Sequence, residues 1–149
     1  WGSKYLSKSF FEELVFTTNK EKLVLFNARH IDSEESLAMS LCVFNNKKLW
    51  GRYWGSKEEI DCLHFELCYY SPIEWSLSHG IKSFDPGAGG NHKLRRGFKA
   101  RQNISLHRWY NNKMDYLIRL WLPKSNQSIL KEIESINNQV PFKSQLPSI

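Results

Sequence analysis

The apolar and polar positions of this chain follow two periods in turn, which predicts an alternation of helices and strands. Apolar side chains three or four residues apart predict helices, and short runs rich in β-branched and aromatic residues predict strands. The predicted helices are 4–18, a helix from Leu63 to a cap at Gly80, one or two turns at 91–97, 113–121 and 125–136. The predicted strands are 23–28, 37–44, 48–54, 81–85 and 103–110.

The connections between these elements predict the topology of a sheet. The turn at 45–47 closes a hairpin between 37–44 and 48–54, so three antiparallel strands follow one another. The next strand, 81–85, comes after a crossover helix and should therefore lie parallel to 48–54. The predicted fold class is α+β, with one mixed, mostly antiparallel sheet flanked by helices. Its single parallel pair should leave a cleft at the strand ends.

The helix beginning at Leu63 carries the first candidate for chemistry. A helical projection places its apolar face on Leu63, Leu67, Tyr70, Ile73 and Leu77. Pro72 lacks an amide donor, which predicts a kink near Cys68 or a break in the helix.

Glu66 projects into this apolar face, where an unpaired carboxylate would be costly. Two interpretations follow: an ion pair with Arg52, Lys93 or Arg96, or a catalytic base in a cleft. His64 and Cys68 stand four residues apart, which suits either a Cys–His nucleophile pair or ordinary core packing.

The segment from Asp85 to Arg96 carries the second candidate. Glycines at positions such as Gly87 and Gly89 let a ligand approach the backbone, and His92, Lys93 and Arg96 follow at once. This pattern predicts a phosphate site, although it fits no established nucleotide fingerprint. The alternative is a turn with a purely structural role.

Composition and charge indicate which binding partners and which cellular compartment to expect. The chain of 149 residues has a formal net charge of +6, and its sequence pI of about 9.3 favours an anionic partner or a solvated basic face. No apolar run suggests a membrane span and no signal peptide is visible. Three cysteines without metal-like spacing predict buried free thiols in a reducing cytoplasm and no metal site. A start at Trp1 leads us to expect a piece of a longer protein.

Several motifs, in one order, resemble a known family. They are GRYWG at 51–55, HFELCYY at 64–70, IEW at 73–75, FDPGAGG at 84–90 and HKLRRGF at 92–98. Over 23–110 the chain resembles the FemAB-like predicted N-acyltransferases of the GNAT superfamily, a group associated with peptidoglycan biosynthesis or recognition. The order of helix and strand is also similar to that of the Fem peptidyltransferases.

The resemblance implies a GNAT-like fold and an acyl- or aminoacyl-transferase acting on an amine. We expect one domain over 1–140, the C-terminal lobe of a longer protein, with a loosely ordered tail at 141–149. The donor would be acyl-CoA or aminoacyl-tRNA, with no tightly bound cofactor, and the acceptor a cell-wall precursor or another anionic small molecule. The protein would be cytoplasmic, could bind tRNA, and could bury an exposed face by forming a homodimer.

The resemblance also distributes roles among the candidate residues. Glu66 or His64 would be the base, assisted by Asp85, and Arg52 would hold Glu66 or substrate. The residues expected to hold the donor's phosphates are Gly87, Gly89, His92, Lys93 and Arg96. The loop 55–61, where the superfamily usually binds pyrophosphate, is acidic here. Alternatives to a transferase are a non-catalytic module that recognises glycan or cell-wall precursor, and an RNA-binding module.

Overall fold

The fold is described from a computed structural model that covers residues 6–16 and 20–141. The chain divides into two compact units, 1–88 and 89–149. The expectation of one domain over 1–140 stays a prediction, and the expected tail beyond 141 lies outside the described residues.

The first unit is a four-stranded mixed sheet with helices. Its elements, in order, are α1 (Lys8–Phe16), a 3₁₀ turn (Lys20–Lys22), β1 (Leu23–Arg29), β2 (Ser36–Phe44), β3 (Lys48–Ser56), α2 (Leu63–Phe65), a π-helical turn (Glu66–Tyr70), α3 (Ser71–Ser78) and β4 (Ser83–Asp85). The strand order is β1-β2-β3-β4, with β3–β4 parallel and the other pairs antiparallel. The predicted fold class and the parallel pair are confirmed.

The β2–β3 hairpin forms because Asn45 closes its turn. The Asn45 side-chain oxygen accepts hydrogen bonds from the amides of Lys47 (2.9 Å) and Lys48 (2.8 Å), and the Asn45 amide bonds to the Lys48 carbonyl. Asparagine is well suited to such turns because its side chain satisfies nearby backbone donors.

The core of the first unit lies between the sheet and α3. Cys42, Leu49 and Ile81 are buried at its centre. Trp75 of α3 packs edge-on against Phe26 and Phe44, with ring centroids 6.2 and 4.9 Å apart. Alternate residues of β2 point into this core, as the period of a half-buried strand requires.

The helical stretch 63–78 contains the largest correction to the sequence interpretation. The irregularity lies near Cys68 as predicted, but it is a π-helical turn and the helix does not break. The Ser71 amide bonds to the Glu66 carbonyl, five residues back. This wider turn accommodates Pro72, which cannot donate to the Cys68 carbonyl and whose ring would clash with it in a regular α-helix.

The π turn also changes which residues face the core. A π turn advances by about 80° per residue instead of about 100°, so the straight projection fails beyond it. The buried residues are Leu67, Tyr69, Pro72 and Ser76, whereas Tyr70 and Leu77 of the predicted apolar face are exposed.

The second unit contains a 3₁₀ helix (Asn91–Arg96), an irregular segment at 101–110 and α4 (Asn112–Asn137). Asn111 caps α4 by accepting hydrogen bonds from the Lys113 and Met114 amides. The prediction of two separate helices, 113–121 and 125–136, is wrong, since α4 continues through Pro123. The backbone hydrogen bond lost at Pro123 and the strain of its ring are tolerated within this 26-residue helix.

The predicted strand at 103–110 is also wrong. This segment has no regular secondary structure, and among the described residues its backbone forms no hydrogen bond to another backbone group. The sequence pattern therefore predicted a strand where the partner strand that a sheet requires is absent from the described residues. Just before it, Ala100 is fixed to the end of α4 by two hydrogen bonds with the Asn137 amide, of 2.7 and 3.0 Å.

The corrected helix phase can be tested by two matched substitutions. Leu67→Ala should lower the free energy of unfolding by about 3 kcal/mol, because it empties a buried site. Leu77→Ala, ten residues further along the same stretch, should change it by less than about 0.5 kcal/mol, because Leu77 is 74% exposed. Chemical denaturation of both variants makes the comparison, and equal losses would restore the straight-helix projection.

Candidate functional site

The parallel pair of strands separates at a defined place. Lys48 pairs with Ser83, Leu49 with Phe84 and Trp50 with Asp85, after which β4 ends and β3 continues. The pairing of β3 with β2 is irregular nearby: Cys42 faces Gly51 and Leu41 faces Tyr53. Arg52 is therefore the extra residue of a β-bulge.

Gly51 lies beside the chain that leaves β4. A Cβ built on Gly51 would lie 3.6 Å from the Pro86 Cα, so the two backbones approach closely at this point. Because bulges commonly occur at sheet edges and next to active sites, this end of the sheet is the candidate site of the first unit.

Asp85 stands at the end of β4 and is fixed by two contacts. Its carboxylate lies 3.4 Å from the Lys48 ammonium and accepts a hydrogen bond of 3.1 Å from the Gly87 amide. Gly87 has φ +85°, a conformation that favours glycine, so Asp85 and Gly87 together shape the turn. The side chain is 40% exposed and remains accessible to a ligand.

Glu66 is exposed, so its expected place inside the apolar face is wrong. It lies in the π turn, and its carboxylate accepts a hydrogen bond of 2.7 Å from the Ser71 hydroxyl. Glu66 and Arg52 form no ion pair among the described residues, and Arg52 is itself exposed. No burial cost therefore forces Glu66 to be neutralised.

His64 is half-buried among aromatic rings. Its imidazole centroid lies 5.3 Å from that of Trp54, 5.5 Å from that of Phe65 and 5.6 Å from that of Tyr69. These rings fix the orientation of the imidazole and limit its access to water. The sequence interpretation did not place Trp54 or Tyr69 beside His64, because ring contacts of this kind leave no pattern in the sequence.

The three cysteines are free, as predicted, but they differ in environment. Cys42 is buried, and burial raises the pKa of its thiol to about 11, so it stays protonated at neutral pH and is a poor nucleophile. Cys62 is exposed, against expectation, and Cys68 is half-buried. The described residues contain no group of three or more His, Cys, Asp or Glu arranged to hold a metal ion.

The second unit contains the remaining candidate residues. Gly90 has φ +88°, a conformation that favours glycine, and a Cβ at this position would lie 2.5 Å from the His92 ring, which would have to move. The Arg96 guanidinium donates a hydrogen bond of 2.8 Å to the His92 carbonyl. Gly89 also has a positive φ, of +74°.

His92, Lys93 and Arg96 form a cationic cluster along the 3₁₀ helix. Burial, followed by the positive charges of Lys93 and Arg96, lowers the pKa of His92. Since the cationic form of His92 is disfavoured by its neighbours, a bound anion would relieve this repulsion.

A pocket that the sequence interpretation missed opens in the second unit. Its volume is about 630 Å³, and it is lined by Leu94, Arg95, Glu132, Ile136, Gln139 and Pro141. Those residues come from segments almost forty positions apart, and no motif marks them.

The candidate residues are thus divided between the two units. Arg52, His64, Glu66, Asp85 and Gly87 belong to the first, and Gly89, His92, Lys93 and Arg96 to the second.

Comparisons with known proteins gave one match. A family model described as FemAB-like, peptidoglycan biosynthesis/recognition, matches residues 1–144. No curated protein and no solved structure matched the chain. Among the described residues, no helix is long and apolar enough to cross a membrane.

The charge environment of His92 can be measured directly. In an NMR titration, we expect the imidazole of His92 to titrate below the ordinary range of histidine. Lys93→Gln should raise this pKa because it removes a neighbouring positive charge, whereas Lys99→Gln should leave it nearly unchanged. Inorganic pyrophosphate should also raise it if the cluster binds anions, and His92→Gln assigns the resonance. A pKa that responds to neither Lys93→Gln nor pyrophosphate would contradict the anion site.

Proposed function

This chain belongs to the FemAB-like family of peptidoglycan biosynthesis/recognition, and from that premise we propose that it is an N-acyltransferase. It would move an acyl or aminoacyl group from acyl-CoA or aminoacyl-tRNA to an amine of a cell-wall precursor, in the cytoplasm. The observation that carries the proposal is the end of the parallel pair. There β4 stops at Asp85 while β3 continues through the bulge at Arg52.

Such an edge suits acyl transfer because backbone groups at the end of a strand pair can contact a ligand. On the β4 side, β3 has no partner strand beyond Trp50 among the described residues. Backbone N–H groups of β3 beyond this point would hold the donor's carbonyl oxygen as negative charge develops on it, which is the main electrostatic need of acyl transfer. Exposed Arg52 would attract an anionic group of the acceptor.

The reaction also needs a base that removes a proton from the attacking amine. The amine nitrogen bonds to the donor's carbonyl carbon, and the C–S bond of a thioester or the C–O bond of an aminoacyl ester breaks. The amine's proton passes to the base, and the leaving sulfur or oxygen accepts a proton. We assign the base to Glu66, whose exposed carboxylate is hydrogen-bonded to Ser71.

Asp85 and His64 are assigned supporting roles. Asp85 is already engaged by Lys48 and the Gly87 amide, so it would shape the turn and orient the acceptor amine. His64 is surrounded by rings on three sides, which makes it the second choice as base.

The donor's phosphates need an anion site, which we assign to Gly89 and the cationic cluster of the second unit. Gly89 would allow close approach of the backbone, Lys93 and Arg96 would supply positive charge, and His92 would hydrogen-bond a phosphate oxygen. The same cluster supports a second candidate function, non-catalytic recognition of an anionic glycan or cell-wall precursor.

Two carboxylates on one helical stretch offer a matched test of catalysis. Glu66→Gln should reduce kcat for transfer of a labelled acyl group about 10² to 10⁴-fold, as expected for loss of a general base. Glu74→Gln, at another exposed carboxylate, should leave the rate unchanged. Asp85→Asn should lower the rate less than Glu66→Gln and raise KM. Wild-type rates in both Glu66→Gln and Asp85→Asn would refute the assignment.

Ligand-binding measurements distinguish an acyltransferase from a non-catalytic recognition module. Coenzyme A, tRNA and a soluble cell-wall precursor peptide would each be tested by thermal shift, since a ligand at 100 times its Kd stabilises by about 2.7 kcal/mol. A transferase should be stabilised by the precursor and by coenzyme A or tRNA. Stabilisation by the precursor alone would favour the recognition module.

A further inference from the structure

Positive charge is concentrated in the second unit. Residues 89–149 contain eleven Lys and Arg against three Asp and Glu, a formal charge of +8. Residues 1–88 contain ten Lys and Arg against twelve Asp and Glu, a formal charge of −2. The net charge of the chain therefore belongs to one unit, and an anionic partner of large extent would meet that unit first.

One side of α4 combines this charge with exposed apolar side chains. Lys113, Leu117, Leu120 and Lys124 recur every three or four residues and Lys131 follows two turns later. At about 100° per residue, the five share one direction on the helix. We call these five residues the α4 stripe. All are exposed, Leu117 by 58% and Leu120 by 59%, and Trp121 beside them is 61% exposed.

The acidic residues of α4 lie outside this stripe. Asp115 and Glu132 project away from the stripe, Glu134 lies near its edge at the C-terminal end, and Asp115 is engaged by Arg119 at 2.6 Å. From Lys113 to Lys124, about three turns, the stripe is therefore free of negative charge. Lysines beside exposed apolar side chains can extend their charged ends to lipid phosphates while the apolar side chains contact the acyl chains.

The segment just before α4 also combines exposed apolar side chains with positive charge. In the irregular segment 101–110, Ile104, Leu106 and Tyr110 are 85% exposed or more, and Arg101 and Arg108 belong to the same segment. The Arg108 guanidinium rests over the Tyr110 ring at 5.2 Å.

The exposed apolar side chains help to decide whether the anionic partner is a nucleic acid or a membrane surface. A nucleic acid would use the lysines and stack on aromatic rings, but it would leave exposed leucine and isoleucine side chains in water. An anionic bilayer surface uses both components, because acyl chains accept the apolar side chains while lysines extend to the phosphates.

We propose that the second unit docks on anionic membrane surfaces through the α4 stripe. The helix lies parallel to the membrane plane, with Leu117, Leu120 and Trp121 at the boundary of headgroups and acyl chains. Lys113 and Lys124 reach the lipid phosphates. This property is independent of the transferase proposal, because none of these residues takes part in the proposed site.

Co-sedimentation of the whole chain with lipid vesicles tests the proposal. We expect binding to phosphatidylcholine vesicles that contain about a quarter phosphatidylglycerol, much weaker binding to phosphatidylcholine alone, and loss of binding at high salt. Leu117→Ser with Leu120→Ser should weaken partitioning about tenfold or more, because the apolar contribution is lost. Ile31→Ser with Leu77→Ser is the matched control in the first unit, with 94% and 74% exposed side chains, and should bind like wild type.

The contribution of the lysines in the α4 stripe is tested by a second set of variants. Lys113→Gln and Lys124→Gln should each weaken binding about fivefold, as expected for one cation near an anionic surface. Lys22→Gln and Lys82→Gln, at exposed lysines of the first unit, should have little effect. Circular dichroism melts confirm that each variant remains folded.

Three results would overturn the proposal. The first is unchanged vesicle binding by the double serine variant, which would reduce the association to charge alone. The second is a dimer in analytical ultracentrifugation that the same variant dissociates, which would make a second copy the occupant of the stripe. The third is salt-dependent binding of a structured RNA with no binding of vesicles.

Discussion

Pro72 cannot donate a backbone hydrogen bond, and the turn before it widens so that the Ser71 amide reaches the Glu66 carbonyl. The rest of the first unit depends on this adjustment. Within this turn Leu67, already on the predicted apolar face, is buried together with Tyr69, and beyond it Trp75 packs against Phe26 and Phe44 of the sheet. Glu66, the first residue of the turn, is exposed, and the Ser71 hydroxyl reaches its carboxylate.

The exposure of Glu66 removes one of the two interpretations that the sequence left open, the buried ion pair, and the role of Glu66 as a base stays a proposal. A buried carboxylate would have needed a cationic partner, and such a pair serves the fold. An exposed carboxylate with one hydroxyl donor keeps most of its acceptor capacity for a ligand. Asp85 differs, since Lys48 and the Gly87 amide already hold it. Of the two carboxylates, Glu66 is the one that can accept a proton without first losing an ion pair.

The sequence predicted the sheet well because its signals are local. Alternation in 37–44, the asparagine turn at Asn45 and a crossover helix determine the strands, the hairpin and the parallel pair. It failed where distant or irregular features decide the outcome. One helical projection cannot represent a helix that contains a π turn. The rule that proline ends a helix wrongly divided α4 at Pro123. For the candidate site, sequence found the titratable residues, but not the rings of Trp54 and Tyr69 around His64.

The irregular segment 101–110 limits how deeply the second unit can enter a bilayer. Its backbone groups have no hydrogen-bonded partner in the backbone of the described residues, so they need water or lipid headgroups around them. In α4 the backbone is satisfied by the helix itself, and only side chains must suit the hydrocarbon. The segment must therefore stay at the level of the headgroups while the leucines of the α4 stripe go deeper. Exposed Ile104 and Leu106 extend from that shallow position toward the acyl chains without taking their backbone with them. The backbone of segment 101–110 and the side chains of α4 are both accommodated when the unit docks on the membrane surface through side chains and the chain does not insert.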